Sequence, residues 1–162
     1  MKRLICLIML FSFALCGCSV DGERIKEPVT FYYIRTNYQK DMDQVIDSEV
    51  REASGHRGDL PYLLALYSMG PSKEELQSPL PRNTKIVVTE CNADQVQLSL
   101  SDSGTALSDA DFMLASACIA LTCMEITEVQ QVTVACADRI ITLQEENLLL
   151  YSSLQQPQEE TT

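Results

Sequence analysis

The chain has 162 residues, of which 46% are hydrophobic and 22% are charged, and this composition indicates one globular domain and not a disordered segment. The 23 acidic residues outnumber the 12 basic ones, so the formal net charge is −11. Nucleic-acid binding and attraction to anionic lipid both require clustered Lys and Arg, and this charge balance argues against both.

Residues 1–17 have the parts of a bacterial signal peptide. Lys2 and Arg3 form a basic start, and residues 4–15 (LICLIMLFSFAL) form an uncharged apolar run. This run is shorter than the ~20 residues that a membrane-spanning helix needs, so it is typical of the hydrophobic part of an export signal.

The end of this leader predicts a lipid anchor. Leu15-Cys16-Gly17-Cys18 resembles the lipobox of bacterial lipoproteins. The resemblance implies that the Cys18 thiol receives diacylglycerol and that the leader is cut just before it. An ordinary secretory leader, cut near Cys16, is the alternative. We therefore expect an extracytoplasmic domain held at the cell membrane, with residues 18–28 as a polar tether.

The first half of the domain alternates strand and helix patterns. Residues 29–35 (VTFYYIR) predict a central strand that is buried on both faces. Residues 48–53 (SEVREA) predict a weak edge strand or, equally well, a helical turn, because their charges suit an exposed edge. Asp59 is placed to cap a helix with one apolar stripe: Leu60, Leu63, Leu64 and Tyr67.

A Gly-Pro pair ends this helix at Gly70-Pro71. Ser72 to Glu75 has the spacing of a capping box, which predicts that a second, short helical turn starts at once. Pro79 and Pro81 then lead into an extended segment.

The next two segments predict a β-hairpin. Residues 85–91 (KIVVTEC) and 95–100 (QVQLSL) have strand composition and are separated by turn residues. In the second strand, the apolar residues alternate with Gln95, Gln97 and Ser99, so we expect one buried and one solvent-exposed face.

The last part of the domain predicts a core helix and a strand. Ser108 starts a helix, and no charge occurs in residues 112–124, a run that is too short to cross a bilayer. Residues 131–137 (QVTVACA) predict a strand. Residues 140–154 predict a further short strand or turn at the sheet edge, and residues 155–162 a disordered tail.

The order of these elements predicts an α+β fold. Without the weak strand, the pattern is the split β-α-β arrangement (βαββαβ). Two helices would pack on one face of a mostly antiparallel sheet of four to five strands, within one domain of residues 29–154.

Two stretches of the chain resemble the GerMN domain. Residues 65–71 (ALYSMGP), followed by Leu80-Pro81 and a hydrophobic hairpin, are similar to its "ALxxLxxGP…LP" signature. Residues 120–134 are similar to its second signature, a "TLT…V..V.V" passage from helix to strand. The sequence departs from the family at two points. Ala137-Asp138 stands where a glycine usually follows the last of these strands. The chain also shows one copy of the domain, whereas the founding sporulation protein of the family has two.

The resemblance implies an α/β module similar to the ring-building modules of sporulation assemblies. It implies a role in spore development, germination or envelope assembly without enzymatic activity, and it brings no catalytic residues. The implied partners are envelope or sporulation-complex proteins and further copies of the chain.

The chain has few residues that could carry chemistry. His56, the single histidine, lies in a Gly-rich loop without an obvious nucleophile, and we interpret it as a solvent-exposed loop residue. Of the cysteines outside the leader and the anchor, Cys118 and Cys123 point in different directions on one helix, and Cys91 and Cys136 would lie on opposite edge strands. We therefore favour reduced, buried thiols at all four positions.

Metal sites are not indicated either. The sequence contains no C-x-x-C pair that would suit zinc. The acidic residues of segment 41–49 lack the tight spacing of a calcium-binding loop. These acidic residues are Asp41, Asp43, Asp47 and Glu49. We predict no catalytic, cofactor-binding or metal-binding residues.

Two functional hypotheses follow from the sequence. The first is a lipid-anchored interaction module, in which a sheet edge or exposed sheet face binds a second copy or an envelope protein. The second is a cell-wall ligand-binding lipoprotein or an envelope enzyme, which requires a concave site that joins His56 or Tyr38 to several carboxylates. The resemblance favours the first.

Overall fold

A computed structural model describes residues 26–37 and 44–148. The leader, Cys18 and the tail of residues 155–162 therefore lie outside the described residues. The described part contains seven strands, two α-helices, one 3₁₀ helix and a helical turn at residues 145–148. In chain order the strands and helices are β1 (Pro28–Arg35), β2 (Ile46–Glu52), α1 (Leu60–Ser68), β3 (Leu76–Gln77), β4 (Ile86–Cys91), β5 (Gln95–Leu100), the 3₁₀ helix (Asp102–Ala106), α2 (Asp109–Thr127), β6 (Gln131–Cys136) and β7 (Arg139–Gln144).

The strands form two sheets. Sheet I has the order β2-β1-β3, and sheet II has the order β4-β5-β6-β7. The pairing between β5 and β6 is parallel and all other pairings are antiparallel. The α+β fold class is therefore confirmed, whereas the prediction of a single sheet of four to five strands is wrong.

The position of α2 explains why there are two sheets. β3 pairs with β1 only at Ile34 and Arg35, which leaves the rest of that edge of β1 free for another partner. The Tyr32 N–H on β1 donates to the hydroxyl of Thr122 on α2 at 3.1 Å. A helix side chain thus accepts a backbone hydrogen bond that a neighbouring strand would otherwise accept.

Several predicted elements are confirmed at residue level. Asp59 caps α1 through its Oδ1, which accepts the Tyr62 N–H at 3.1 Å. Ser108 caps α2 by accepting the Asp111 N–H at 3.2 Å. Asn92 Oδ1 closes the β4–β5 turn by accepting the backbone N–H groups of Asp94 and Gln95. The buried residues of α1 are the predicted stripe: Leu60, Leu63, Leu64 and Tyr67.

β2 confirms the edge-strand alternative, but two other predictions, the exposure of all its charged residues and a helical turn after α1, are wrong, and Glu49 is involved in both. Glu49 on the edge strand β2 is 2% exposed and not in solvent. Its carboxylate accepts the N–H and O–H of Ser72, at 3.0 and 2.9 Å, and the Lys73 N–H at 3.2 Å. Residues 72–75 form a turn before β3 and no helix, and the side chain and backbone N–H of Ser72 are bound by Glu49.

Helix α2 is longer than its uncharged centre suggested. It has 19 residues and, among the described residues, it is the one helix long and apolar enough to cross a membrane by length and composition alone. In the fold it packs against β1, β6 and β7. Its buried residues join those of α1 and of both sheets in one hydrophobic core.

The connection between β6 and β7 offers a stability test. Ala137 has φ +54°, a left-handed conformation that costs a residue with a Cβ atom about 1 kcal/mol. We expect Ala137→Gly to raise the free energy of unfolding in urea by about 0.5 to 1 kcal/mol. The same change at Ala135, in strand β6, should lower it by a similar amount, and a loss of stability in Ala137→Gly would contradict this assignment.

Candidate functional site: an uncharged sheet face

One face of sheet II points away from the core. The strand register aligns its side chains in three rows across β5, β6 and β7. We call these nine residues the uncharged face: Ser99, Ala135 and Ile140; Gln97, Thr133 and Thr142; Gln95, Gln131 and Gln144. The opposite face of the same strands contributes Val96, Leu98, Val132 and Val134 to the core.

Hydrogen bonds between side chains order this surface. The Gln131 amide donates to Gln95 Oε1, and the Gln144 amide donates to Gln131 Oε1, each at 3.2 Å. The hydroxyls of Thr133 and Thr142 lie 2.9 Å apart. A partner would therefore meet side chains that are already held in place, which lowers the entropic cost of binding.

The absence of charge distinguishes this face from the rest of the chain. In a protein with 22% charged residues, nine neighbouring surface positions carry none. Glu90 and Val87 border the face on β4, and Val87 and Ile140 are 54% and 68% exposed. Charged residues are depleted from the centres of protein interfaces because their desolvation is costly, so this composition is typical of a binding surface.

The edge beside this face also lacks protection. Residues 140–144 of β7 contain no charge, no Pro and no register shift. By contrast, β2 carries Asp47 and Arg51, and β4 has a register shift between Val88 and Glu90. Unprotected edges can pair with another strand. Within residues 26–37 and 44–148, β7 is therefore the sheet edge best suited to accept one.

Comparison with known proteins identifies the domain. A family model described as Germane, sporulation and spore germination, matches residues 30–137. The chain belongs to the Germane family. The resemblance to GerMN domains drawn from the sequence is thereby confirmed.

One solved structure shares the fold of this Germane domain, and two further ones are similar to the chain. The first GerMN domain of the sporulation protein GerM from Bacillus subtilis has a TM-score of 0.50 and 12% identity, and the match covers 70% of this chain and 85% of that one. The tandem GerMN domains of the same protein give a TM-score of 0.48 and 22% identity over 69% of this chain and 39% of that chain. A Clostridium perfringens protein described as a lipoprotein gives 0.45 and 14% over 74% of this chain and 89% of that one. No match was found among curated proteins.

The signature residues of the Germane domain have structural roles here. Gly70, the glycine of the Gly-Pro pair, has φ +89°, and its carbonyl accepts a hydrogen bond from Arg51 Nη2. Arg51 also donates to Glu49 at 2.6 Å, and Glu49 holds Ser72. The signature therefore fixes the loop after α1 to strand β2 and supplies no reactive group.

Within residues 26–37 and 44–148, His56 forms no common site with Asp47 or Glu49. His56 lies in an exposed loop, where it stacks on Tyr62 and its Nδ1 is 3.8 Å from Asp59. Asp47 binds Arg35 at 2.8 Å. Asp41, Asp43 and Tyr38 lie outside the described residues. In the part of the chain that the structure describes, no group of three or more His, Cys, Asp and Glu residues could hold a metal ion.

The structure corrects the predicted positions of two cysteines. Cys118, Cys123 and Cys136 are buried free thiols, but Cys91, at the end of edge strand β4, is exposed. Cys136 lies on β6, which is an inner strand and not an edge. Burial raises the pKa of both Cys118 and Cys123 to about 12, so these two side chains are protonated and act as small apolar groups.

Sequence analysis found the β5 residues of this surface and missed those of β6 and β7. It assigned Gln95, Gln97 and Ser99 to an exposed face, and the structure places them on the uncharged face. The alternation of Gln131, Thr133 and Ala135 carried the same signal in β6. The alternation within each strand does not show which strands lie next to β5. The exposed residues of β5, β6 and β7 could therefore not be combined into one surface from the sequence.

Proposed function

We propose that this Germane-family chain is a lipid-anchored, extracytoplasmic interaction module that acts in spore development or germination. It binds a protein partner, either a second copy or another envelope protein, through the uncharged face and the adjoining edge of β7. The anchor is the lipid on Cys18. The observation that supports binding most directly is the group of nine uncharged side chains, five of them joined by hydrogen bonds, on an otherwise charge-rich protein.

The proposal assigns binding and no catalysis to the domain. The alternative, an enzyme or cell-wall ligand-binding protein, requires His56 or Tyr38 to meet several carboxylates in a concave site. Among the carboxylates of the described residues, the loop that carries His56 brings it close to Asp59 alone, and it leaves the His56 side chain 45% exposed. No observation favours the alternative for His56.

A crosslinking experiment in native membranes tests both parts of the proposal. A photoreactive residue at Ile140 should crosslink to a discrete partner, whereas the same residue at Met69, which is 81% exposed and on another surface, should not. The double change Thr133→Lys and Thr142→Lys should reduce the crosslinked yield at least about tenfold, because two charges would have to be desolvated at the interface. The Cys18→Ala form should leave the membrane fraction.

The matched control is Ala65→Lys with Gln77→Lys, which adds the same charge at exposed positions away from sheet II. This control should keep the full crosslinked yield. Equal yields from both double variants, or recovery of monomer alone, would reject the binding surface. Retention of the Cys18→Ala form in the membrane would reject the anchor.

A further inference from the structure

Helix α2 carries a second apolar stripe on its outer side. While Phe112, Ala115 and Ile119 are buried in the core, a different set of residues remains half-buried or exposed. Steps of four, three, four and three residues separate the members of this outer set: Ala110, Leu114, Ala117, Leu121 and Met124. This alternation of steps is the spacing of a helix–helix seam, and the small alanines allow a partner helix to approach closely.

The outer stripe lines a groove of about 970 Å³. The other walls come from residues 44–46, at the start of β2, from Leu143 of β7, and from Glu145, Asn147 and Leu148 after it. The lining is mainly apolar, and the charged groups on it are carboxylates: Glu125, Glu128 and Glu145.

The described chain ends in this groove. After β7, the Glu145 N–H donates to the Gln130 carbonyl at 3.1 Å, so the chain passes the C-terminal end of α2. Residues 145–148 are helical, and Asn147 and Leu148 line the groove. Since a helix repeats its face after three, four and seven residues, the positions that follow Asn147 on this face are Leu150, Tyr151 and Leu154.

We propose that residues 149–154 continue the helix that begins at Glu145 and occupy the groove, antiparallel to α2. The length suits the seam. A helix of the ten residues 145–154 is about 15 Å long, so it fits within the stripe from Ala110 to Met124, which is about 21 Å long.

Charge favours this segment over a second copy of the chain as the occupant. Residues 149–156 are uncharged, so they approach the three carboxylates without repulsion. A second copy docked through the same groove would bring its Glu125 and Glu128 close to Glu125 and Glu128 of the first copy. These carboxylates would repel one another, and each chain already has a net charge of −11.

Methionine oxidation by hydrogen peroxide, read by mass spectrometry of the full chain, tests the proposal. Met113 and Met124 line the groove, and Met69, which lies elsewhere, is the internal reference. The double change Leu150→Glu and Leu154→Glu should raise the oxidation rates of Met113 and Met124, relative to Met69, at least about threefold, because oxidation follows exposure. A chain that ends at Leu148 should show the same increase.

The matched control is Ser152→Glu with Ser153→Glu, which places the same charges on the opposite side of the expected helix. It should oxidise like the unchanged chain. Equal relative rates in the unchanged chain, the leucine variant and the shortened chain would overturn the proposal. Protection that survives the shortening and grows with protein concentration would also overturn it, and would assign the groove to a second copy.

Discussion

Glu49→Gln should lower the free energy of unfolding in urea by about 3 kcal/mol. The carboxylate is 2% exposed and accepts hydrogen bonds from Ser72, Lys73 and Arg51. A neutral amide leaves Arg51 without its counter-charge and turns an NH₂ group towards donors that cannot accept from it. Because this network joins β2 to the loop after α1, its loss should act on the whole domain.

Glu52→Gln is the matched control for this change. Glu52 is exposed on the same strand, so its replacement should alter stability by no more than about 0.5 kcal/mol. Equal effects of the two substitutions would contradict the assigned role of Glu49.

The effect of Glu49→Gln should also depend on pH. Burial by itself raises the pKa of Glu49, but the hydrogen bonds from Ser72 and Lys73 and the charge of Arg51 outweigh it, so the pKa lies below its ordinary value of 4.5. A lowered pKa in the folded state stabilises the protein above that ordinary value, and this contribution is lost as the pH falls through the folded pKa. The stability difference between the unchanged chain and Glu49→Gln should therefore narrow below pH 4.5.

Thr122→Val should lower the free energy of unfolding by about 2 kcal/mol. The buried Thr122 hydroxyl accepts the Tyr32 N–H of β1 at 3.1 Å and donates to the Cys118 carbonyl at 2.9 Å. Valine has nearly the same shape, so the main loss is the acceptor, and the Tyr32 N–H is left unpaired beside α2. Hydrogen exchange at the Tyr32 amide should accelerate more than exchange in sheet II.

Thr127→Val provides the comparison on the same helix. The Thr127 hydroxyl donates only to the Cys123 carbonyl, a bond within α2. Its removal should cost no more than about 0.5 kcal/mol, because no other element loses a partner. If Thr122→Val cost as little, α2 would not be held to β1 in this way.

The local elements of the fold were predictable because their signals lie within a few residues. The caps at Asp59 and Ser108 and the stripe of α1 each depend on spacings of three or four positions. The same is true of the alternation in β5, which identified the residues that this strand contributes to the candidate binding surface. The capping-box spacing at Ser72 predicted a helical turn that does not form, because a distant residue, Glu49, accepts the backbone N–H groups of Ser72 and Lys73 and holds them in a turn before β3.

By itself, the sequence determined the α+β class, the order of most helices and strands and the resemblance to GerMN domains, since short-range patterns encode all three. Only the tertiary structure decided that the strands divide into two sheets, that Glu49 is buried, and that three rows of side chains form one uncharged face. Each of these depends on residues far apart in the chain, such as Tyr32 and Thr122, which are 90 positions apart. Burial and strand pairing depend on contacts between such distant residues, and the local periodicity of the sequence does not specify which of these contacts form.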